Sequence, residues 1–209
     1  YEPSKDIHFT ISDGKLVGNL DETVNMVAAK LGEAEISKQN AYGEEIVGAE
    51  LTLTGKDADG NDIVFALENV IPGIKAELIT SENSTELKWL SGSTPTYVKN
   101  LPDGTYVLHE VAAPSGYEVT TDITFIVENG VLSGEVGVDS TSVTMMDDMT
   151  KTDVTISKQN VFSQEIAGAK LTLRGVDFTG RKVEFNSLDV TFGTGAELVS
   201  DGRELVWIS

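Results

Sequence analysis

Ile36-Ser37-Lys38-Gln39-Asn40 returns as Ile156-Ser157-Lys158-Gln159-Asn160, at an offset of 120. An internal repeat of this length constrains the fold strongly, because each copy must build the same structural unit. At the same offset Gly48-Ala49-Glu50-Leu51-Thr52-Leu53 returns as Gly168-Ala169-Lys170-Leu171-Thr172-Leu173, and Ala76-Glu77-Leu78 as Ala196-Glu197-Leu198. Trp89 matches Trp207 after a small deletion. The beginning of the chain carries the opposite half. Tyr1-Glu2, Asp6-Ile7, Phe9, Gly14 and Leu16 align with Tyr117-Glu118, Asp122-Ile123, Phe125, Gly130 and Leu132, at an offset of 116. After a short gap Val24-Asn25-Met26-Val27 lies over Val143-Thr144-Met145-Met146. The alignment predicts a segment of a longer array: C-terminal strands of a preceding repeat (1–33), a complete repeat (34–150) and the N-terminal half of a following repeat (151–209).

The repeat reads as all β. Glu50-Leu51-Thr52-Leu53-Thr54, Thr105-Tyr106-Val107-Leu108-His109-Glu110 and Ile123-Thr124-Phe125-Ile126-Val127 alternate with the strand period of two. Turn signals separate them at Asp59-Gly60-Asn61, Pro102-Asp103-Gly104, Pro114-Ser115-Gly116 and Glu128-Asn129-Gly130. Short strands so spaced predict a two-sheet sandwich. The one helix-like stretch, Val24 to Leu31, falls where the alignment demands a strand, and a strand is the expectation.

The formal net charge is −19, from 34 acidic and 15 basic residues. Nucleic acid and anionic membrane both require a basic surface, so neither is expected as a partner. Such acidity serves solubility without naming a ligand. With no cysteine, disulfides, thiol nucleophiles and zinc ribbons are excluded. The apolar runs are a few residues long, too short to span a bilayer as a helix. Neither a signal peptide nor a sorting tail is legible, as expected of an internal segment.

Three ionisable residues share strand parity with apolar neighbours. Lys38 follows Ile36 by two, Glu110 follows Tyr106 and Leu108, and Asp147 follows Val143 and Met145. Equal parity means the same face, so a lysine and two carboxyls are predicted to face the core. Asp148 has the other parity and is the weaker candidate. Buried charges are costly unless paired or neutralised. Parity leaves two readings open: a buried ion pair, or groups held together to react.

The sequence resembles the collagen-adhesin B-type (CnaB) domain of Gram-positive surface adhesins and pilins. The resemblance lies in Ile36-Ser37-Lys38, Gly48-Ala49, Leu101-Pro102-Asp103-Gly104-Thr105-Tyr106, Glu110-Val111-Ala112-Ala113-Pro114-Ser115-Gly116-Tyr117 and Val143-Thr144-Met145-Met146-Asp147. It implies immunoglobulin-like or prealbumin-like sandwich repeats in tandem. It also implies an isopeptide bond between Lys38 and Asp147, promoted by Glu110. A core of low polarity favours neutral amine and neutral carboxyl, the forms that condense, and fixed proximity supplies effective molarity. Position 28, aligned with Asp147, holds Ala28, which cannot form the bond; Lys158 has no partner carboxyl in its own half repeat.

The expected function is a stalk or shaft module of a secreted, cell-wall-attached Gram-positive surface protein, self-cross-linking once rather than turning over as an enzyme. The other reading is a binding module that grips a host protein or glycan; clustered exposed aromatics would favour it, whereas Trp89 and Trp207 recur at equivalent positions, as packing residues do. Expected partners are neighbouring repeats, including complementation of half repeats between chains, and a host surface ligand. No cofactor or metal is expected. Asp57, Asp59, Asn61 and Asp62 around Gly60 faintly resemble a calcium loop, but their equivalents are Asp177, Thr179, Arg181 and Lys182, so a turn is expected. Tyr97-Val98-Lys99-Asn100 lacks the proline of a pilin cross-linking motif, and His8 and His109 make no metal set.

Overall fold

The computed structural model describes residues 7–12, 15–17, 24, 28, 30–81, 84–191 and 194–209, and the chain divides into two compact units, Tyr1–Thr150 and Lys151–Ser209. The first described strands form an antiparallel hairpin, β1 (Thr10–Ser12) and β2 (Lys15–Val17). The rest of the first unit comprises β3 (Gly32–Asn40), β4 (Glu50–Lys56), β5 (Val70–Ile71), β6 (Glu77–Ser81), β7 (Ser84–Leu90), β8 (Thr96–Leu101), β9 (Gly104–Ala112), β10 (Ile123–Glu128), β11 (Val131–Gly134) and β12 (Ser142–Asp147). Apart from two single 3-10 turns, at Leu67–Asn69 and Ser187–Asp189, no helix occurs among the described residues.

These strands build the expected two-sheet sandwich. One sheet has the order β11-β10-β9-β4-β7-β6 and the other β12-β3-β8-β5. All neighbours are antiparallel except β12 and β3, the last and first strands of the sandwich, which run parallel with Val143 opposite Ile36 and Asp147 opposite Asn40. Inward-facing side chains alternate along each strand as the sequence period requires. Leu51, Leu53, Leu87, Trp89, Tyr106, Leu108, Phe125 and Val127 close one side of the core; Ala34, Ile36, Val98, Leu101, Val143 and Met145 close the other. Burying each of the larger ones is worth about 1.5–3 kcal/mol. Tyr106 stacks on Phe125 with ring centroids 5.1 Å apart, and its hydroxyl donates to the Pro102 carbonyl at 2.6 Å. Gly55 lies opposite Tyr106, where any Cβ would meet the ring at 2.8 Å, so glycine makes room for the aromatic pair.

Strand registers recur at the offsets of the sequence. In β1–β2, Thr10, Ile11 and Ser12 face Val17, Leu16 and Lys15; in β10–β11, Ile126, Val127 and Glu128 face Ser133, Leu132 and Val131. The second unit holds β13 (Lys170–Leu173), β14 (Thr194–Val199) and β15 (Glu204–Ile208), in sheet order β13-β15-β14. There Leu171 faces Trp207 and Leu198 faces Leu205, as Leu51 faces Trp89 and Leu78 faces Leu87. Ser209 Oγ donates to the Ile166 carbonyl and accepts from the Ala169 N–H, copying Ser91 with Ile46 and Ala49.

Burial does not recur with register. Phe9 and Ile11 are exposed, whereas Phe125 and Val127 are buried; Ile156 is exposed, whereas Ile36 is buried. The strand expected over Val24–Leu31 does not form at Val24, Ala28, Lys30 or Leu31, and residues 25–27 and 29 lie outside the described residues. Its equivalent, β12, is held by β3, and β3 is already paired on both edges, by β12 and β8.

Candidate functional site

Lys38 enters the core from β3 because it shares the inward parity of Ala34, Ile36 and Asn40; on the other face of the strand Ser37 is buried as well. Glu110 stands near the end of β9, two residues beyond Leu108, and Asp147 is the last residue of β12, two beyond Met145. The two sheets press these three side chains together. Lys38 Nζ lies 3.0 Å from Glu110 Oε2 and donates a short hydrogen bond to Asp147 Oδ1. Each of the three residues is 1 % exposed. Glu110 Oε2 also accepts the Thr120 N–H at 2.9 Å, whereas Glu110 Oε1 and Asp147 Oδ2 have no hydrogen-bond partner. Burial pushes the Asp147 carboxyl up to about 6, against the pull of Lys38, with Glu110 adding to the rise.

The surroundings of Lys38 are built with equal care. Glu45 receives the Ser37 hydroxyl on one oxygen and the Lys38 N–H at 3.3 Å on the other. Gln39 Nε2 donates to Ser37 Oγ at 2.7 Å. Asn40 Oδ1 accepts from the Tyr42 and Glu44 N–H groups, fixing the turn that brings Glu45 back. Ser157 with Glu165 and Asn160 with the Phe162 and Gln164 N–H groups repeat these contacts, but Gln159 Nε2 donates to Glu165 Oε1 at 2.9 Å instead of to the serine; the bonds from Ser157 and Gln159 hold the Glu165 carboxyl below its usual range. The sequence reading missed Glu45, although Ser37, Gln39 and Glu45 recur together at the offset of 120, a signal that could have found it. Nothing in the sequence marks Thr120, which acts through its backbone.

A family model described as SpaA, prealbumin-like fold domain, matches residues 32–141, more than half of the 209-residue chain. The chain belongs to the SpaA prealbumin-like fold family. Lys38 and Glu110 lie inside the match, and Asp147 lies past its end. Among solved structures, the SpaA-type chain is similar to the pilus-presented adhesin Cpa, at 25 % identity and TM-score 0.35, over 51 % of this chain and 20 % of that one. It is similar to GBS52, the minor pilin of the Gram-positive pathogen Streptococcus agalactiae, at 18 % identity and TM-score 0.40, over 62 % and 49 %. It is also similar to the group B streptococcus pilus 2b backbone protein, at 21 % identity and TM-score 0.39, over 71 % and 53 %. The SpaA-type chain thus spans between a fifth and about half of the length of these structures. No curated protein matches it.

The other sequence candidates Asp148, Ala28 and Lys158 are exposed. Asp148 is exposed just beyond β12, and Ala28 is exposed and outside any strand. Lys158 is exposed in a stretch that forms no strand, because the equivalents of the partners of β3 are not present in the second unit. Asp57 turns its carboxylate onto the N–H groups of Asp59 and Asn61, and Asp177 does the same with Thr179 and Arg181, so both stretches are backbone turns. His109 pairs with Asp122 at 2.6 Å on the surface, and Lys99 with Glu33 at 3.7 Å. Among the described residues no three His, Cys, Asp or Glu side chains group to hold a metal, and no helix is long and apolar enough to cross a membrane.

Proposed function

We propose that the 34–150 domain is a structural module of a Gram-positive surface stalk or pilus shaft, and that Lys38 and Asp147 condense to a CnaB-type isopeptide bond. The observation that carries this reading is the amine of Lys38 set between two carboxyls in a core closed to solvent. In the reactive form Lys38 is neutral, Asp147 protonated and Glu110 ionised. Nζ attacks Asp147 Cγ, and the C–N bond forms. Glu110 takes a proton from the nitrogen and delivers it to the departing hydroxyl, so one water leaves and Glu110 returns to its starting state. The reaction happens once per domain, so the module is no enzyme.

The mechanical consequence supports a shaft. Lys38 and Asp147 are 109 residues apart, and closing a loop of that size stabilises by about 5 kcal/mol on the chain-entropy model. Both tryptophans are buried, at 1 % for Trp89 and 9 % for Trp207, which favours packing over ligand capture. On this reading the chain is secreted and attached to the cell wall. Residues 1–33 and 151–209 belong to flanking repeats, whose exposed apolar faces are covered by half repeats of neighbouring chains or repeats. Ala28 leaves the preceding repeat without an acceptor, and Lys158 is the donor of the following one.

Intact mass is the deciding measurement. The native chain is expected one water lighter than its sequence mass, with Lys38 and Asp147 in one joined peptide after digestion. An unshifted mass in a folded sample reduces the trio to an ion pair.

A further inference from the structure

The loop between β9 and β10 touches the Glu110 carboxyl and the backbone just past Asp147. Two donors converge on Glu110 Oε2: Lys38 Nζ at 3.0 Å, and the Thr120 N–H at 2.9 Å. Lys38 is consumed by the reaction; Thr120 is not. Because Oε1 has no partner, the Thr120 N–H is the non-reacting hydrogen bond that sets the rotation of this carboxyl. The same loop holds the chain that leaves Asp147. The Glu118 N–H donates to the Asp148 carbonyl and the Thr150 N–H to the Gly116 carbonyl, both at 3.0 Å, with Tyr117 bridged to Met149 between them. This clasp begins at the residue after Asp147, at the end of an edge strand whose neighbour in the sheet is β3, where an end would otherwise fray. The turn that presents the clasp closes with Tyr117 N–H on the Pro114 carbonyl and has Gly116 at φ +96°, a conformation other residues rarely adopt.

We propose that residues 113–122 are a positioning element for the cross-linking reaction. The Thr120 amide fixes Glu110, and the Gly116–Glu118 stretch fixes the exit from Asp147, so one loop sets both carboxyls against Lys38. The proposal rests on the reading that Lys38 and Asp147 condense. Effective molarity depends steeply on such placement. Glu110 and the Ala-Ala-Pro-Ser-Gly-Tyr run are continuous in the chain: the glutamate acts, the run carries contacts to Met149 and Thr150, and Thr120 just beyond it holds the carboxyl.

The test follows water loss by intact mass against time in the full chain made by cell-free synthesis. Position 120 carries either alanine, which keeps the N–H, or the α-hydroxy acid of threonine, which replaces the amide by an ester and removes it. A third variant, Thr150→Pro, removes the clasp donor at an exposed position. Near-UV circular dichroism of the buried Trp89 reports folding in each. The ester is expected to slow the reaction about tenfold or more, Thr120→Ala to match the parent, and Thr150→Pro to slow it by a smaller factor. Folded ester and Thr150→Pro chains that react at the parent rate overturn the loop assignment while leaving the bond itself standing. Equal slowing by Thr120→Ala and the ester overturns the role of the amide. A parent that never loses water overturns the underlying reading and the proposal with it. If the ester chain does not fold, Thr150→Pro decides.

Discussion

At the scale of single residues, Lys38 is held where a charge is hardest to keep. Its neighbours on β3 are Ile36, Ser37 and Asn40, all buried, and it has two carboxyls in reach. Removing either carboxyl separates the roles. Glu110→Ala is expected to fold without losing water, and Asp147→Ala to do so for want of an acceptor. Each should melt roughly 20 °C below the parent, the equivalent of a 5 kcal/mol cross-link in a domain of this size; mass and thermal melting of the same samples check both halves. A Glu110→Ala chain that cross-links fully would assign the proton transfer elsewhere. Lys38→Met tests the electrostatics of Asp147. Its carboxyl is already raised from 3.8 to about 6 with Lys38 present. Lys38 pulls it down, so the upper limit moves higher once the lysine is gone. A raised folded value means the folded state binds the proton more tightly than the unfolded one, so stability falls as pH rises through this window. Lys38→Met should therefore melt higher at pH 5 than at pH 8. The opposite order would mean that Asp147 is ionised and well paired without the lysine.

At the scale of elements, the parallel pairing of β3 and β12 gives the candidate bond its mechanical meaning. Parallel neighbours place the start of β3 and the end of β12 at opposite ends of the pair. Tension applied there shears the two strands. With Lys38 joined to Asp147, force entering at Gly32 runs along β3 to Lys38, crosses the bond, and leaves at Asp147. The strands between Lys38 and Asp147 carry no load. Single-molecule pulling on chains tethered outside 32–147 should show no extension from this domain in the parent and a full unfolding step in Glu110→Ala. An unfolding step in cross-linked parent would place the force path elsewhere. The same strands show how far local sequence reaches. Ile36 to Asn40 form a strand, yet the identical Ile156 to Asn160 do not, because β3 owes its ladder to β8 and β12. Turns behave differently. The Asn40 and Asn160 turns and the Asp57 and Asp177 turns recur with their hydrogen bonds intact, since each is closed by residues within a few positions.

At the scale of the whole molecule, the two units differ in how they keep their apolar faces. Residues 151–168 are exposed throughout, ahead of the short sheet β13-β15-β14. In dilute solution, where half repeats of separate chains do not meet, limited trypsin digestion should therefore cut after Lys151 and Lys158 before it cuts at Lys56, Lys75, Lys88 or Lys99, and mass mapping of the first fragments checks the order. Early cleavage inside 34–147 would mean that the sandwich opens more readily than its core suggests. The sequence by itself determined the all-β class, the alternation that buries Leu51, Tyr106 and Phe125, and the common parity of Lys38, Glu110 and Asp147 with the core, because period-two patterning and turn chemistry are local properties. Only the tertiary structure decided that strands far apart in the chain bring those three side chains within hydrogen-bonding distance. It alone placed the Thr120 amide on Glu110 and closed the clasp behind Asp147, since a backbone donor leaves no trace in residue identity. It also decided that equal sequences take unequal forms at Ile36 and Ile156, because a strand exists only where another strand is present to satisfy its hydrogen bonds.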